Sequence, residues 1–191
     1  MRISAGVLKG RKVRAGRLSS KREGKEGFRP TSSKVREAVF DILKNEITDA
    51  DFLDLYAGSG TVGFEALSRG AARCCFVEQD PRRFREILSS VKNMGLDDKA
   101  AVFREDAVLF LERASKSDIS FQVVFADPPY ASGEIGRVFL LLDGTDVLRK
   151  GGVLMIEHSS RNVFQYSGRS LRFVRNYKYG DTMLTFFRKE P

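Results

Sequence analysis

Short apolar runs alternate with amphipathic stretches along most of the chain, beginning near residue 51. The runs are rich in β-branched and aromatic residues, which favours buried strands. The stretches between them repeat apolar residues at helical spacing and carry helix boundary signals, such as Asp80 before Pro81 and Gly95 after Met94. The pattern predicts strands at residues 52–57, 74–77, 100–103, 121–126 and 153–156, with helices between them that include residues 108–114 and most of 134–147.

This alternation of strand and helix predicts an α/β fold with a doubly wound, Rossmann-like, mostly parallel sheet. The end of the chain differs, because apolar runs at 171–177 and 183–187 flank Tyr179-Gly180-Asp181, which is typical of an antiparallel pair. The sheet should therefore carry an antiparallel C-terminal strand. Ligands of such sheets bind at the carboxyl ends of the strands.

The residues before the first strand form a separate pattern. Residues 2–13 have short β-type runs broken by Gly6 and Gly10, which predicts a small basic hairpin, and residues 19–27 suggest a loop. Ser32 or Ser33 can cap the helix that follows. Its apolar face would consist of Val35, Ala38, Val39, Ile42 and Leu43. Lys34 and Arg36 lie off that face and are expected to meet solvent or a ligand. We therefore expect an arm at residues 1–30 and a Rossmann-like domain at 31–191.

The net charge of +8 is concentrated at the two ends of the chain. Residues 1–36 carry 12 Lys and Arg against 2 acids, and residues 161–191 carry 7 against 2, whereas the middle is acidic. A basic arm on an acidic body favours a polyanionic partner such as RNA, although a merely solubilising tail is the alternative. The candidate RNA contacts are Lys9, Arg11, Lys12, Arg14, Arg29, Thr31 and Arg36.

Composition argues against several other classes of protein. No run approaches the ~18 apolar residues of a membrane span. The adjacent Cys74 and Cys75 lie in a predicted strand and point to opposite faces, so neither a disulfide nor a metal site is expected. A cytoplasmic, monomeric protein without a bound metal is the expectation.

A glycine loop follows the first predicted strand, with the spacing Gly58-x-Gly60-x-x-Gly63. Such a loop lets a cofactor approach the backbone, and Glu78, 20 residues after Gly58, is placed to bind ribose hydroxyls. Alone, these features fit NAD(P), FAD or S-adenosylmethionine equally well. The candidate cofactor contacts are Asp54, Tyr56, Ala57, Gly58, Ser59, Gly60, Gly63, Glu78, Gln79, Asp106, Ala107 and Asp127.

Asp54 distinguishes among these cofactors, because it lies late in an apolar strand where an unpaired carboxylate is costly. A carboxylate there suits the cationic amino-acid moiety of S-adenosylmethionine. Asp106 is placed either to approach an adenine amino group or to cap a helix, and the two roles are compatible.

The candidate catalytic loop is Asp127-Pro128-Pro129-Tyr130, at the carboxyl end of the fourth predicted strand. Prolines fix φ and lack an N–H, so the loop is rigid and offers carbonyl acceptors. The Asp127 carboxylate and the Pro128 carbonyl are able to accept both N–H bonds of a nucleobase amino group, while Tyr130 stacks on the base. Methyl transfer would then depend on positioning and would need no metal.

These motifs together resemble the class I methyltransferases that act on amino groups, and most closely the bacterial 16S ribosomal RNA guanine-N2 methyltransferases of the RsmD family. The resemblance covers nearly the whole chain. It includes residues 6–12, Arg29-Pro30-Thr31, 35–40, 53–60, 63–71, 127–130 and 179–182. It implies that S-adenosylmethionine is the cofactor and that a guanine N2 of 16S rRNA, within a 30S subunit or an assembly intermediate, is the substrate.

Three alternatives remain open at this stage. The acceptor is an adenine N6 or a glutamine amide in the first, the chain is an NAD(P)-dependent oxidoreductase in the second, and it is a non-catalytic RNA-binding protein in the third. His158, the only histidine, is expected to have a structural or cleft-lining role rather than to act as a catalytic base. The aromatic residues near the last strands, Phe173 and Tyr177 among them, are expected to lie in the core rather than on an RNA surface.

Overall fold

The computed structural model describes residues 1–13, 33–129, 133–161 and 168–191. Within these ranges seven strands form one sheet. The strands are β1 (Asp51–Leu55), β2 (Arg73–Val77), β3 (Ala100–Phe103), β4 (Phe121–Ala126), β5 (Leu148–Ser159), β6 (Leu171–Tyr179) and β7 (Thr182–Lys189). The helices are α1 (Ser33–Ile42), α2 (Thr61–Ser68), α3 (Pro81–Met94), α4 (Ala107–Ala114) and α5 (Glu134–Gly144).

The strand order across the sheet is β3-β2-β1-β4-β5-β7-β6. Strands β1 to β5 pair in parallel, whereas β7 is antiparallel to both of its neighbours. The predicted doubly wound sheet with an antiparallel C-terminal strand is confirmed. The sequence did not indicate that β7 inserts between β5 and β6. That insertion departs from the dinucleotide-binding order, in which the sixth strand follows the fifth.

An apolar layer covers each face of the sheet. Helices α1, α2 and α3 pack on the face that carries Phe52, Phe76 and Phe125, and α4 and α5 pack on the other. Because successive strand residues point to opposite faces, a strand covered on both sides must be apolar throughout, as β1 and β4 largely are. Among the described residues, no helix is both long and apolar enough to cross a membrane.

Three element boundaries differ from the prediction for local reasons. Strand β1 ends at Leu55 because Tyr56 adopts a positive φ of 68°. Strand β5 begins at Leu148, since Gly151-Gly152 forms an irregularity within the strand rather than the expected turn before it. A Cβ on Gly152 would lie 2.7 Å from the Arg149 carbonyl oxygen. Helix α5 ends at Gly144, where the next residue, Thr145, is extended.

Residues 1–13 form the predicted hairpin, with an antiparallel bridge between Arg2 and Lys12. The apolar side chains of Ile3, Leu8 and Val13 are buried in the same layer as α1, α2 and α3. This basic segment is therefore packed on the body of the protein. The expected domain boundary near residue 30 and the loop at 19–27 lie outside the described residues.

The buried carboxylate of Glu65, on α2, attaches this hairpin to the sheet layer. It accepts hydrogen bonds from Ser4 N (2.8 Å), Ser4 Oγ (2.6 Å), Ala5 N (3.1 Å) and Arg69 Nε (3.0 Å). Burial alone would raise the pKa of Glu65, but the hydrogen bonds from Ser4 and Arg69 outweigh it and lower the pKa. Glu65 is thus held as a charged, fully bonded group.

Arg36 does not face solvent, and the prediction that it would do so was wrong. Its side chain is buried, with Nε 3.7 Å from Glu65 Oε2 and Nη2 donating to the Arg2 carbonyl at 3.3 Å. The helical pattern placed Arg36 off the apolar stripe correctly, but the hairpin covers that side of α1. Because the guanidinium is enclosed by hairpin and α2, its burial argues against a direct RNA contact.

We expect Glu65→Gln to destabilise the fold by about 3 kcal/mol, because the substitution leaves the Arg36 guanidinium buried without its counter-charge. Urea unfolding at pH 7 measures the effect. Glu112→Gln is the matched control, since Glu112 pairs with Arg137 on the surface at 3.4 Å and its loss should cost less than ~1 kcal/mol. Equal losses of unfolding free energy in the two variants would contradict the conclusion that Glu65 stabilises the buried Arg36 and the hairpin.

Candidate active site

Three acidic side chains meet at the carboxyl ends of β1, β4 and β5. The parallel registers align Leu55 with Ala126 and Ala126 with Ile156, so Asp127 and Glu157 occupy adjacent positions on neighbouring strands. Asp54, Asp127 and Glu157 alternate with residues of the α4–α5 layer and therefore point toward the α1–α3 face. This edge is where ligands bind in doubly wound sheets.

The glycine loop joins β1 to α2 through a series of left-handed residues. Tyr56, Gly58 and Gly60 have φ values of 68°, 55° and 73°, and Gly60 caps the helix. Gly63 has a different role, because a Cβ there would lie 2.3 Å from the Phe76 ring and 2.6 Å from Cys74 Sγ. Its hydrogen side chain allows α2 to pack closely on β2, which holds the loop against the strand ends.

Asp54 fastens this loop to β1. Its Oδ2 accepts a hydrogen bond from Gly63 N at 2.9 Å, and the side chain is 2% exposed. Burial raises the pKa of Asp54 to about 7; the Gly63 hydrogen bond opposes the rise and the nearby Glu78 adds to it. Within the described residues, the carboxylate that was predicted to meet a cationic ligand is therefore buried beside the like charge of Glu78.

Glu78, at the end of β2, bonds to the other side of the loop. Its Oε2 accepts from Gly58 N at 2.7 Å and its Oε1 from Asp80 N at 2.8 Å. Burial raises the pKa of Glu78 despite these hydrogen bonds. Each oxygen has a second lone pair, so both are able to accept a ribose hydroxyl as well. The neighbouring Gln79 is exposed at the same strand end.

The remaining predicted cofactor contacts surround the loop. Asp106 caps α4 by accepting hydrogen bonds from Val108 N (2.9 Å) and Leu109 N (3.1 Å), which confirms the helix-cap role, and Ala107 is buried beside it. Ala57 is buried, and the hydroxyls of Ser59 and Thr61 lie 2.5 Å apart. Whether these residues contact a cofactor stays a prediction.

The Tyr56 hydroxyl donates a hydrogen bond of 2.6 Å to Glu134 Oε2, at the first residue of α5. Burial and the adjacent Glu134 carboxylate raise the pKa of Tyr56 above its usual range, so the phenol stays protonated. The glycine loop is thereby joined to the beginning of α5, which follows the candidate catalytic loop along the chain.

The candidate catalytic loop, residues 127–130, is called the Pro-Pro loop below. It begins at Asp127, whose N–H donates to the Leu55 carbonyl at 3.4 Å. Asp127 is half-buried, Pro128 is buried and Pro129 is exposed, whereas Tyr130 lies outside the described residues. The protein around the carboxyl group raises the pKa of Asp127 well above its usual range, and repulsion from Glu157 and Asp54 raises it further.

Glu157 was not predicted as a site residue. It is 3% exposed, and its charge is one of the causes that raise the pKa of Asp127. The signal was present in the sequence, because an acid at the end of an apolar strand had already marked Asp54. His158, which follows it, is buried and bonded to Thr185 Oγ1 (2.7 Å) and the Ser159 carbonyl (3.0 Å), so its predicted structural role is confirmed.

The candidate RNA contacts separate into three groups. Lys9, Arg11 and Lys12 are exposed on the hairpin, Arg36 is buried, and Arg14, Arg29 and Thr31 lie outside the described residues. The hairpin runs along α2 with its Gly6–Leu8 turn against Ser68 and its other end at the glycine loop, where Met1 Sδ accepts from Thr61 Oγ1 at 3.5 Å. Lys9 and Arg11 thus lie near the C-terminal end of α2, away from the carboxyl ends of the parallel strands.

We expect Asp54→Asn to stabilise the ligand-free protein by about 4 kcal/mol at pH 8. The pKa of Asp54 is about 7 in the folded protein and 3.8 for an unperturbed carboxyl, as in the unfolded chain. The ionised form therefore opposes folding. The gain should be complete above pH 7, shrink as the pH falls, and vanish near pH 4. Urea unfolding of both proteins across that range measures it, and a gain independent of pH would contradict the assignment.

Comparisons with known proteins agree with this geometry. The family model described as "Conserved hypothetical protein 95" matches residues 1–188. A putative rRNA methyltransferase of Bacillus subtilis, YlbH, is 33% identical over 99% of both chains. The ribosomal RNA small subunit methyltransferase D of Escherichia coli K12 is 31% identical over 85% of this chain and 76% of its own length.

The solved structures give the same result. A putative methyltransferase of Escherichia coli, yhhF, superposes with a TM-score of 0.86 at 29% identity and covers 100% of this chain and 98% of its own. A Thermus hypothetical protein, TTHA0928, has a TM-score of 0.80 at 28% identity, with 100% and 99% coverage. The chain belongs to the family described as Conserved hypothetical protein 95, which is the RsmD family of methyltransferases.

Proposed function

We propose that this protein transfers a methyl group from S-adenosylmethionine to the exocyclic N2 amino group of a guanine in 16S ribosomal RNA, within a 30S subunit or an assembly intermediate. The observation that carries the proposal is the position of Asp127-Pro128-Pro129. This loop leaves β4 directly beside the end of β1, from which the glycine loop departs, and is bonded to it through Leu55. An acceptor held by Asp127 and a cofactor held by the glycine loop would then adjoin.

The charge of the site supports a cationic cofactor. Asp54, Glu78 and Asp127 all have raised pKa values, which means that a positive charge nearby would stabilise each of them. S-adenosylmethionine carries a sulfonium and an ammonium group and supplies an activated methyl group when bound. The pyrophosphate of NAD(P) or FAD would instead add negative charge to an acidic cleft, so the electrostatics favour the methyl donor over the dinucleotides.

The residues around that cofactor divide into two roles. In this proposal Glu78 and Gln79 bind the ribose, and Asp106 and Ala107 contact the adenine. Asp54 and the backbone from Tyr56 to Gly60 hold the amino-acid end. Asp127 and the Pro128 carbonyl hold the acceptor. The carboxylate accepts an N–H from the amino group, which directs the nitrogen lone pair toward the methyl group and favours in-line transfer.

An RNA substrate is supported by the relatives and by the charge of the arm. The relatives of Escherichia coli and Haemophilus influenzae are named ribosomal RNA small subunit methyltransferases. Val13 N donates to the Met1 carbonyl, and Met1 contacts Thr61, so the described part of the arm ends beside the glycine loop. Arg36, four residues into α1, also bonds to Arg2 there. The basic residues 14–32 are thus flanked on both sides by residues fixed near the cofactor loop.

Transfer of a labelled methyl group to RNA from a strain without the modification tests the proposal. We expect label in 16S rRNA, recovered as N2-methylguanosine after nucleoside analysis, and the comparison of deproteinised rRNA with 30S particles identifies the substrate form. Asp127→Ala should lower the rate by about 10²- to 10³-fold with little loss of S-adenosylhomocysteine affinity, because its role is to hold the acceptor. Asp127→Asn, which keeps one acceptor oxygen, should retain more activity.

Other outcomes would contradict specific parts of the proposal. Label recovered as N6-methyladenosine would refute the guanine assignment, and calorimetric binding of NADH without S-adenosylhomocysteine would refute the cofactor. Full activity in Asp127→Ala would refute the role of the catalytic loop.

The rate should also depend on the ionisation of Asp127. Only the carboxylate accepts freely, so kcat/KM should rise with pH through the pKa of Asp127, which lies above the usual aspartate range. Glu157→Gln removes a repelling charge, lowers that pKa and should shift the acid limb to lower pH. Glu112→Gln, far from the cleft, is the control. An acid limb that does not move in Glu157→Gln would show that Glu157 does not act on Asp127.

A further inference from the structure

We propose that the free edge of the sheet, formed by β6, is a second RNA-binding surface that continues from the active-site edge. This inference rests on the proposed RNA substrate and names a surface outside the N-terminal arm. We define the β6 surface as Arg172, Arg175, Tyr177 and Tyr179, on the face of the strand that packs toward α1–α3, together with Lys178 on the other face of the same edge strand. It combines cations with aromatic rings on an edge strand, which is the composition that single-stranded RNA binds through its phosphates and base faces.

The outer half of this strand is exposed rather than buried. Residues 172–176, 178 and 179 are exposed, and Phe173 is 55% and Tyr179 37% accessible. This corrects the expectation that Phe173 lies in the core. Tyr177 is half-buried against the apolar layer, so its ring is held in a fixed orientation. The more exposed ring of Tyr179 is therefore accessible to a base that stacks on it.

The cations of the β6 surface are available to a polyanion. Arg172 is the exception, because it donates two hydrogen bonds to Glu190, from Nε at 2.6 Å and from Nη2 at 3.0 Å. Within the described part of the chain, Arg175 and Lys178 have no acidic partner within ion-pair distance. Arg175 lies over the Tyr177 ring, 5.7 Å from its centre. An arginine stacked on tyrosine presents a flat, charged platform to a base and its phosphate.

The position of β6 connects it to the catalytic loop. Tyr179 pairs with Thr182, and Thr182 pairs with Ser159, two residues beyond Glu157. The end of β6 therefore lies at the same edge of the sheet as Asp127. Three strand spacings separate β4 from β6, which is about 14 Å. RNA whose target guanine reaches Asp127 would extend over this distance with two to four nucleotides, at ~3.4 Å or more of strand per phosphate.

A second copy of the chain is the rival occupant of an edge strand, and two features oppose it. Pairing β6 with another β6 would bring the cations Arg172, Arg175 and Lys178 of each copy together. The register shift between Phe173 and Arg175 also interrupts the hydrogen-bonding edge. Charged residues and bulges of this kind prevent edge-to-edge association of sheets. The charge that repels a second copy attracts RNA.

Equilibrium binding to deproteinised 16S rRNA and to poly(U), measured over a range of salt concentrations, tests the proposal. The double variant Arg175→Gln/Lys178→Gln should bind both RNAs about tenfold more weakly near 0.1 M salt and reduce the salt slope by about 1.4, as expected for two lost phosphate contacts on single strands. Tyr179→Ala should weaken binding by roughly five- to a hundredfold without changing the slope, because stacking releases no counterions.

The matched control is Lys99→Gln/Lys116→Gln. It removes the same charge from exposed positions near the opposite edge of the sheet, before β3 and after α4. Equal effects of the two double variants would overturn the proposal, as would unchanged RNA binding in the β6 variant accompanied by a changed oligomeric state in sedimentation. Unaltered binding of S-adenosylhomocysteine establishes that the variants are folded. Because no methyl transfer is measured, failure of the proposed reaction would leave this outcome intact.

Discussion

Hydrogen bonds from backbone N–H groups to buried carboxylates hold the connections on which this structure depends. Glu65 binds the hairpin through Ser4 and Ala5, and Asp54 and Glu78 bind the glycine loop through Gly63 and Gly58. Glu78 also binds Asp80 N, at the start of α3. Asp143, on α5, does the same for the residues that enter β6. A carboxylate accepts several such bonds at once, so one side chain satisfies a whole turn of backbone donors.

These carboxylates fall into two electrostatic classes. Glu65 and Asp143 have lowered pKa values, because hydrogen bonds and, for Glu65, the charge of Arg69 outweigh their burial. Asp54, Glu78 and Asp127 have raised pKa values, because burial prevails and a neighbouring carboxylate repels each of them. The first class stabilises the fold at neutral pH, whereas the second opposes it. The second class therefore destabilises the carboxyl ends of the strands, and a bound cationic ligand would relieve that destabilisation. Local destabilisation of this kind is typical of functional sites.

The sequence predicted the features that depend on local rules. Helix α3 begins after the Asp80 cap, at Pro81, and ends before Gly95, as expected. The glycine loop and Asp127 lie at the carboxyl ends of β1 and β4, as the alternation of strands and helices predicted. It failed where distant segments decide the outcome. Arg36 is buried because the hairpin folds over it. Strand β7 lies between β5 and β6 through long-range pairing that no local pattern encodes. Gly151-Gly152 lies within β5 because the strand pairs with β4 on both sides of it. Glu157 gained its role only from the register that sets it beside Asp127.

Both ends of the Pro-Pro loop are fastened to consecutive residues of one strand end. Asp127 donates to the Leu55 carbonyl, and Glu134 receives the Tyr56 hydroxyl bond. The residues on either side of this loop are therefore both bonded to the beginning of the glycine loop. For a cofactor and an acceptor bound at these two loops, thermodynamic linkage is reciprocal. The factor by which the cofactor changes the affinity for the acceptor equals the factor by which the acceptor changes the affinity for the cofactor. The end of β1 thus gives the proposed cofactor and acceptor sites a common support.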